Sequence, residues 1–131
     1  MVISASKATA RSYFEEVVNR GNMSAADTIF ASEVQFHYPL GVLSGAHAVK
    51  DYLAAVRAAF PDIHFTVADL VAEGDRVAAR WMLAGSQTGA FRGKAPTGQK
   101  VSVPGITLFY VVNGKIHEMW IAFDPARLIK D

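Results

Sequence analysis

The stretch NGKIHEMWIAFD, residues 113–124, sets a His, a Glu and an Asp among large apolar residues, and QFHYP, residues 35–39, sets a second His beside a Tyr. An imidazole with an ordinary pKa of about 6.5 can take or give a proton near neutral pH, and a phenol can donate to a developing enolate. His37 and His117 are therefore the candidate catalytic residues, with Tyr38, Tyr13 and Tyr110 as candidate donors. The competing reading makes each histidine a half-buried residue bonded to backbone. Asp124 opens Asp124-Pro125-Ala126-Arg127, a helix start with Asp as N-cap and Pro in the first helical position, and that role outweighs an acid/base one.

The remaining candidates are weaker. His47 falls in the first turn of a helix and His64 on the outer part of a strand, so neither lines an obvious site. No HxxxH or HxH spacing and no adjacent carboxylate set occurs, so no metal is expected, and no cofactor is implied. GAFRGKA departs from a phosphate loop, with Thr88 where the first Gly belongs and Ala95 where Ser or Thr belongs. No nucleophile-elbow sequence supports a serine triad.

The elements that must position these residues change period along the chain. Tyr13, Phe14, Val17 and Val18 recur at helical spacing and Gly21 closes the pattern, which predicts a first helix over about residues 5–20. Ser24 with Asp27 predicts a capping-box start for a short second helix. VQFHYP reads as a short strand stopped by Pro39, and Val49, Tyr52, Leu53, Val56 and Phe60 place a long third helix between Gly45 and Pro61. After Pro61 the period falls to two. Two hairpins follow, turning at Gly74-Asp75 and Asn113-Gly114. A two-residue turn at the first would set Asp69 opposite Arg80, an exposed pair worth a few tenths of a kcal/mol. Helices first, then long antiparallel strands, is an α+β arrangement with helices on one face of a curved sheet.

With 131 residues, 51% of them hydrophobic, the chain is expected to form one domain with one core, residues 1–131. Thirteen basic residues against twelve acidic, with no basic run, argue against nucleic acid. The absence of cysteine excludes disulfides and thiolate chemistry. No signal-like segment and no run of about eighteen apolar residues occurs, so no membrane partner and a cytoplasmic location are expected. Residues 76–86 alternate Val77, Ala79, Trp81, Leu83 with Ala78, Met82, Ala84, apolar on both faces. One face meets the helices; the other predicts a homodimer through the outer sheet.

The run FPDIHFTVADLVAEGDRVAARW, then GSQTGAFRGKAPTGQKVSVPGITLFYVVNGKI, resembles the SnoaL-like polyketide cyclase and ester cyclase family, within the nuclear transport factor two-like superfamily. The match is most specific at Gly85, Thr88, Gly89, Phe91, Gly93, Pro96, Thr97, Gly98 and Gly114-Lys115-Ile116. It implies a cone-shaped barrel: a strongly curved, mainly antiparallel sheet with three N-terminal helices on its concave face and a pocket between them. In family cyclases an Asp on the last strand acts as acid/base in an aldol closure, assisted by a His on the preceding strand. Aligned on Gly-Lys-Ile, those positions carry Ile121 and Thr107, and an isoleucine exchanges no proton.

The resemblance implies a ligand pocket drawn from Tyr13, Tyr38, Phe60, Thr107, Phe109, Met119, Ile121 and Phe123, with His117 on the same strand face. Which face of the last strand looks inward depends on the Asn113-Gly114 turn. Two residues pair odd positions with even; a bulge pairs odd with odd, and the resemblance favours the bulge. Glu118 and Trp120 then lie outside, where Glu118 would need a donor such as Arg80. Such a pocket suits a small hydrophobic molecule. Three functions remain open: a cofactor-free cyclase or isomerase on a hydrophobic carbonyl or polyketide-like substrate, a non-catalytic binding module, and, ranked lower, an epoxide hydrolase.

Overall fold

The computed structural model describes residues 5–128. The order of elements is α1 (Ala5–Ser12) running into a π-helical segment (Tyr13–Asn19), α2 (Met23–Ile29), β1 (Phe30–Tyr38), β2 (Gly41–Ser44), α3 (Ala46–Ala59), β3 (His64–Glu73), β4 (Arg76–Ser86), β5 (Lys100–Val112), β6 (Lys115–Phe123) and a final 3-10 turn (Pro125–Arg127). The six strands form one sheet in the order β2-β1-β6-β5-β4-β3. Every neighbouring pair is antiparallel except β1 with β6. This is the α+β architecture expected, with the helices packed in the concavity.

The first helix carries Tyr13, Phe14, Val17 and Val18 into the core, all at most 4% exposed. It changes to π winding over these residues, a feature that periodicity alone does not show. At the start of α2 the cap is Asn22 rather than Ser24. Gly21 is left-handed (φ +70°), which sets Asn22 in position for its side chain to accept from Ala25 N at 3.3 Å. Ser24 instead donates to Asn22 Oδ1, and Asp27 pairs with Lys50. β2 has no counterpart in the expected elements: its four residues are half-buried or exposed and include a Gly, so no alternation marks them.

Both hairpins turn in two residues. Glu73 pairs with Arg76, which brings Asp69 opposite Arg80, and Arg80 Nε donates to Asp69 Oδ2 at 2.7 Å. Val112 pairs with Lys115 across Asn113-Gly114, yet Tyr110 pairs with Glu118, so one residue, His117, is extra. The bulge therefore sits within β6, after the turn. Beyond it odd positions face odd positions: Phe109 meets Met119, Thr107 meets Ile121 and Gly105 meets Phe123. The buried side chains of β4 and β5, including Val77, Ala79, Trp81, Leu83, Thr107 and Phe109, share the helix-facing side.

Candidate active site

The concave side of the sheet and the helices enclose a narrow cavity of about 50 Å³. Tyr13 reaches it from the π segment, Tyr38 from β1, Tyr52 and Arg57 from α3, Thr107 from β5 and Ile121 from β6. Each arrives by the local rule of its element. Tyr52, Val56 and Arg57 follow Val49 and Leu53 along the inward stripe of α3, and Thr107 and Ile121 are register partners on the inner face.

Trp81 closes the wall on the β4 side. Its ring lies over Gly105, its partner on β5, and a Cβ added at 105 would come within 2.2 Å of the indole. That gap lets Trp81 Nε1 donate to Thr107 Oγ1 at 2.9 Å. With its lone pair engaged, the Thr107 hydroxyl can turn its own proton toward the cavity. Phe65 and Phe123 flank the indole, with ring centroids 4.8 and 6.2 Å away.

The phenols are neutral donors. Burial foremost, with Tyr52 nearby, pushes Tyr13 well above the ordinary range. Burial first and Tyr38 second push Tyr52 up to about 12, partly offset by Arg92. Arg57 donates to Val18 O, and to Asn19 O at 3.0 Å, at the end of the π segment. Among the described residues no Asp, Glu or His lines the cavity. The arrangement can polarise a carbonyl or stabilise an enolate oxygen, and its wall supplies no group to abstract a proton.

Of the expected pocket residues, Tyr13, Tyr38, Thr107, Ile121 and Phe123 line the cavity, while Phe60, Phe109 and Met119 do not. Those three are fully buried in the packed core, Phe109 edge-on to Tyr13 and Phe14. His117 and His37 lie elsewhere, and the placing of His117 on the pocket face is corrected. As the bulged residue, His117 shares the outward position with Glu118, near Tyr110 and 3.9 Å from Glu33. His37 also faces outward, its Nε2 bonded to Glu118 Oε2 at 2.6 Å and its ring stacked on Trp120 at 5.5 Å. The donor to Glu118 is thus His37, not Arg80. Tyr110 is outside as well, beneath the Arg76 guanidinium at 4.1 Å.

Asp124 caps the final turn, accepting from Ala126 N at 3.0 Å. His47 pairs with Asp51 in the open, and the Asp69–Arg80 pair is exposed, so among the described residues no Asp-Arg-Asp constellation enters the cavity. Tyr52, Arg57 and Trp81 are cavity residues that the sequence reading did not single out as such. The signal was present in α3, where a phenol and a guanidinium occupy positions of the apolar stripe. Trp81 and Gly105 carry no such signal, because only their pairing across strands reveals the contact.

No helix among the described residues is long and apolar enough to cross a membrane. A family model described as SnoaL-like polyketide cyclase matches residues 8–131. Solved structures agree. TsrD from Streptomyces laurentii is 26% identical, covers 98% of this chain and 95% of its own, and superposes with a TM-score of 0.84. AclR from Streptomyces galilaeus, proposed as a hydroxylase, is 28% identical over 95% of this chain and 78% of its own, with a TM-score of 0.82. IdmH from Streptomyces antibioticus, proposed as a polyketide cyclase, is 24% identical over 95% of each chain, with a TM-score of 0.83, and speaks for the fold alone. No curated protein gives a significant match. The chain belongs to the SnoaL-like polyketide cyclase family, whose nuclear transport factor two-like cone it adopts.

Proposed function

We propose that this member of the family binds a flat, hydrophobic carbonyl compound and holds it without proton abstraction. The observation that carries this reading is the composition of the cavity wall: neutral hydroxyls and a guanidinium, and among the described residues no carboxylate or imidazole. The position that the resemblance assigns to the family's acid/base Asp is Ile121, and the position of its assisting His is Thr107, opposite Ile121 across the ladder. Binding then requires the interior, about 50 Å³ as it stands, to widen toward the adjoining groove of about 370 Å³. It rests on burial of aromatic surface, with orientation set by hydrogen bonds from Tyr13, Tyr38 and Tyr52 to the carbonyl. The test is a screen of polyketide-like and steroid-like ketones by equilibrium binding, followed by mass spectrometry of the recovered compound. Capture of unchanged ligand is expected; sustained conversion to product would overturn the reading.

A second reading, a cofactor-free cyclisation or isomerisation, is favoured by the convergence of Tyr13 and Tyr52 as permanent donors. It requires the substrate or solvent to supply the base. Product formation that disappears in the Tyr52→Phe variant would select it.

We further propose that a second copy covers the outer sheet face. Val71, Ile106, Met82 and Leu108 are between 38% and 63% exposed there, an apolar surface that a free monomer would leave in water. Light scattering should give the mass of two chains at micromolar concentration; one chain would sink this proposal.

A further inference from the structure

The entrance to the cavity carries a charge pattern that the chain as a whole does not. Two open grooves, of about 370 and 490 Å³, meet at Tyr52, and both are lined by Leu40, Phe91 and Arg92. The first of them shares Tyr52, Phe123 and Leu128 with the cavity, so the grooves and the apolar interior adjoin across these side chains. Around them stand three cations, Arg57, Arg92 and Lys94, and among the described residues no Asp or Glu. The sequence has almost as many acidic as basic residues, so a one-sided lining is a local arrangement rather than a reflection of composition.

Arg92 is the best placed of the three. It sits in a tight turn closed by two backbone bonds, Phe91 N to Lys94 O at 3.0 Å and Lys94 N to Phe91 O at 2.9 Å. Its backbone is left-handed (φ +53°), a conformation uncommon outside glycine, so the surrounding turn must hold it. Phe91 anchors that turn by burying itself against Phe60, with centroids 5.9 Å apart. No carboxylate among the described residues is paired with Arg92, whose guanidinium is exposed beside the phenol of Tyr52.

We propose that the ligand is an amphipathic carboxylic acid, its carboxylate on Arg92 and its aromatic or aliphatic body in the groove of about 370 Å³, directed toward the cavity. The inference rests on the ligand-binding reading above and adds the chemical class. A planar guanidinium matches a carboxylate with two parallel hydrogen bonds. A guanidinium pairs with a phosphate in the same way, but the residues around Gly93-Lys94 lack the phosphate-loop pattern whose backbone amides would engage the further oxygens. Burial of the body supplies affinity, and the anion selects which end of the ligand enters.

The experiment is a titration of the full chain at low salt with benzoylpropionate and with its methyl ester, which share ring and ketone and differ in charge. The acid is expected to bind about ten-fold more tightly than the ester. Arg92→Ala should remove that advantage and leave ester binding within about two-fold, while Arg92→Lys restores part of it. Arg80→Ala, on the outer face, controls for loss of net charge and should change neither. Arg92 is exposed, so the variant should keep the wild-type far-ultraviolet dichroism. If the ester binds as tightly as the acid, or if Arg92→Ala weakens both alike, the inference fails and the ligand-binding reading stands. If the folded protein binds neither compound, both fall.

Discussion

The two faces of β6 and its neighbours are built from opposite chemistry. The inner face presents Met119 and Ile121 beside Thr107 and Trp81, and its polar atoms are hydroxyls and an indole N–H. The outer face holds ionisable groups in pairs: His37 with Glu118, His117 with Glu33, Asp69 with Arg80, and Arg76 stacked over Tyr110. Solvent explains the division. A charge in the closed interior would lose its hydration without regaining it, whereas a half-exposed pair keeps most of it. Residues whose types suggest proton transfer are therefore found where the sheet meets water, and the inward face of the sheet keeps neutral donors. The one charge lining the cavity among the described residues, the Arg57 guanidinium on α3, is held by the carbonyls of Val18 and Asn19.

The comparison is broken most severely by altering the fit of the inner face. Gly105→Ala sets a methyl group where the Trp81 ring lies, so either the indole moves and its bond to Thr107 breaks, or the strands part. We expect a loss of about 2–4 kcal/mol in urea unfolding. The adjacent outward Ile106→Ala, at a position 53% exposed, should cost less than about 0.5 kcal/mol in the monomer.

Ile121→Asp brings the chemistry of the outer face inward. A carboxylate opposite Thr107 would be partly desolvated, and the guanidinium lining the cavity, Arg57, is already engaged by the carbonyls of Val18 and Asn19, so stability near neutral pH should fall by about 1–3 kcal/mol. Acidification should recover it, since protonation removes the charge. A variant as stable as the parent at neutral pH would show that the cavity tolerates an ion.

The phenols sharpen the same contrast at high pH. Tyr52 is pushed up to about 12 from an ordinary 10.0, so the fold favours its protonated form. Its contribution to stability is whole below pH 10, the unfolded value, and is lost as pH rises through 12. In an alkaline titration followed by tyrosinate absorbance, a late fraction should appear together with unfolding, and Tyr52→Phe should diminish it.

The smallest effect belongs to the outer pairs. His37→Ala combined with His117→Ala should cost about 1 kcal/mol or less and leave ligand affinity unchanged. A ten-fold loss of binding would mean that the convex face communicates with the cavity.

Much of the fold was legible beforehand because it depends on local rules. Gly21, Pro39, Gly45 and Pro61 bracket helices and strands, and Gly74-Asp75 makes the two-residue turn that sets Asp69 opposite Arg80. β2 was not legible, since an exposed edge strand of four residues needs no apolar alternation. Within the site, Tyr13, Tyr38, Thr107, Ile121 and Phe123 could be assigned to the pocket from the resemblance, but Phe60, Phe109 and Met119 could not be separated from them. All eight face inward, and whether such a residue borders space or fills it depends on the packing of every neighbour.

By itself the chain of residues determined the order of the elements other than β2, the inward stripe of the helices, and the isoleucine and threonine that face each other at positions 121 and 107. The tertiary structure decided which histidines and carboxylates meet and where. Side chains on a strand alternate with a period of two, so the single extra residue at His117 reverses the facing of the residues before it relative to those after it. That bulge is permitted by the pairing of β6 with both β5 and β1, contacts distant in sequence, and no local pattern in KIHEMW encodes it.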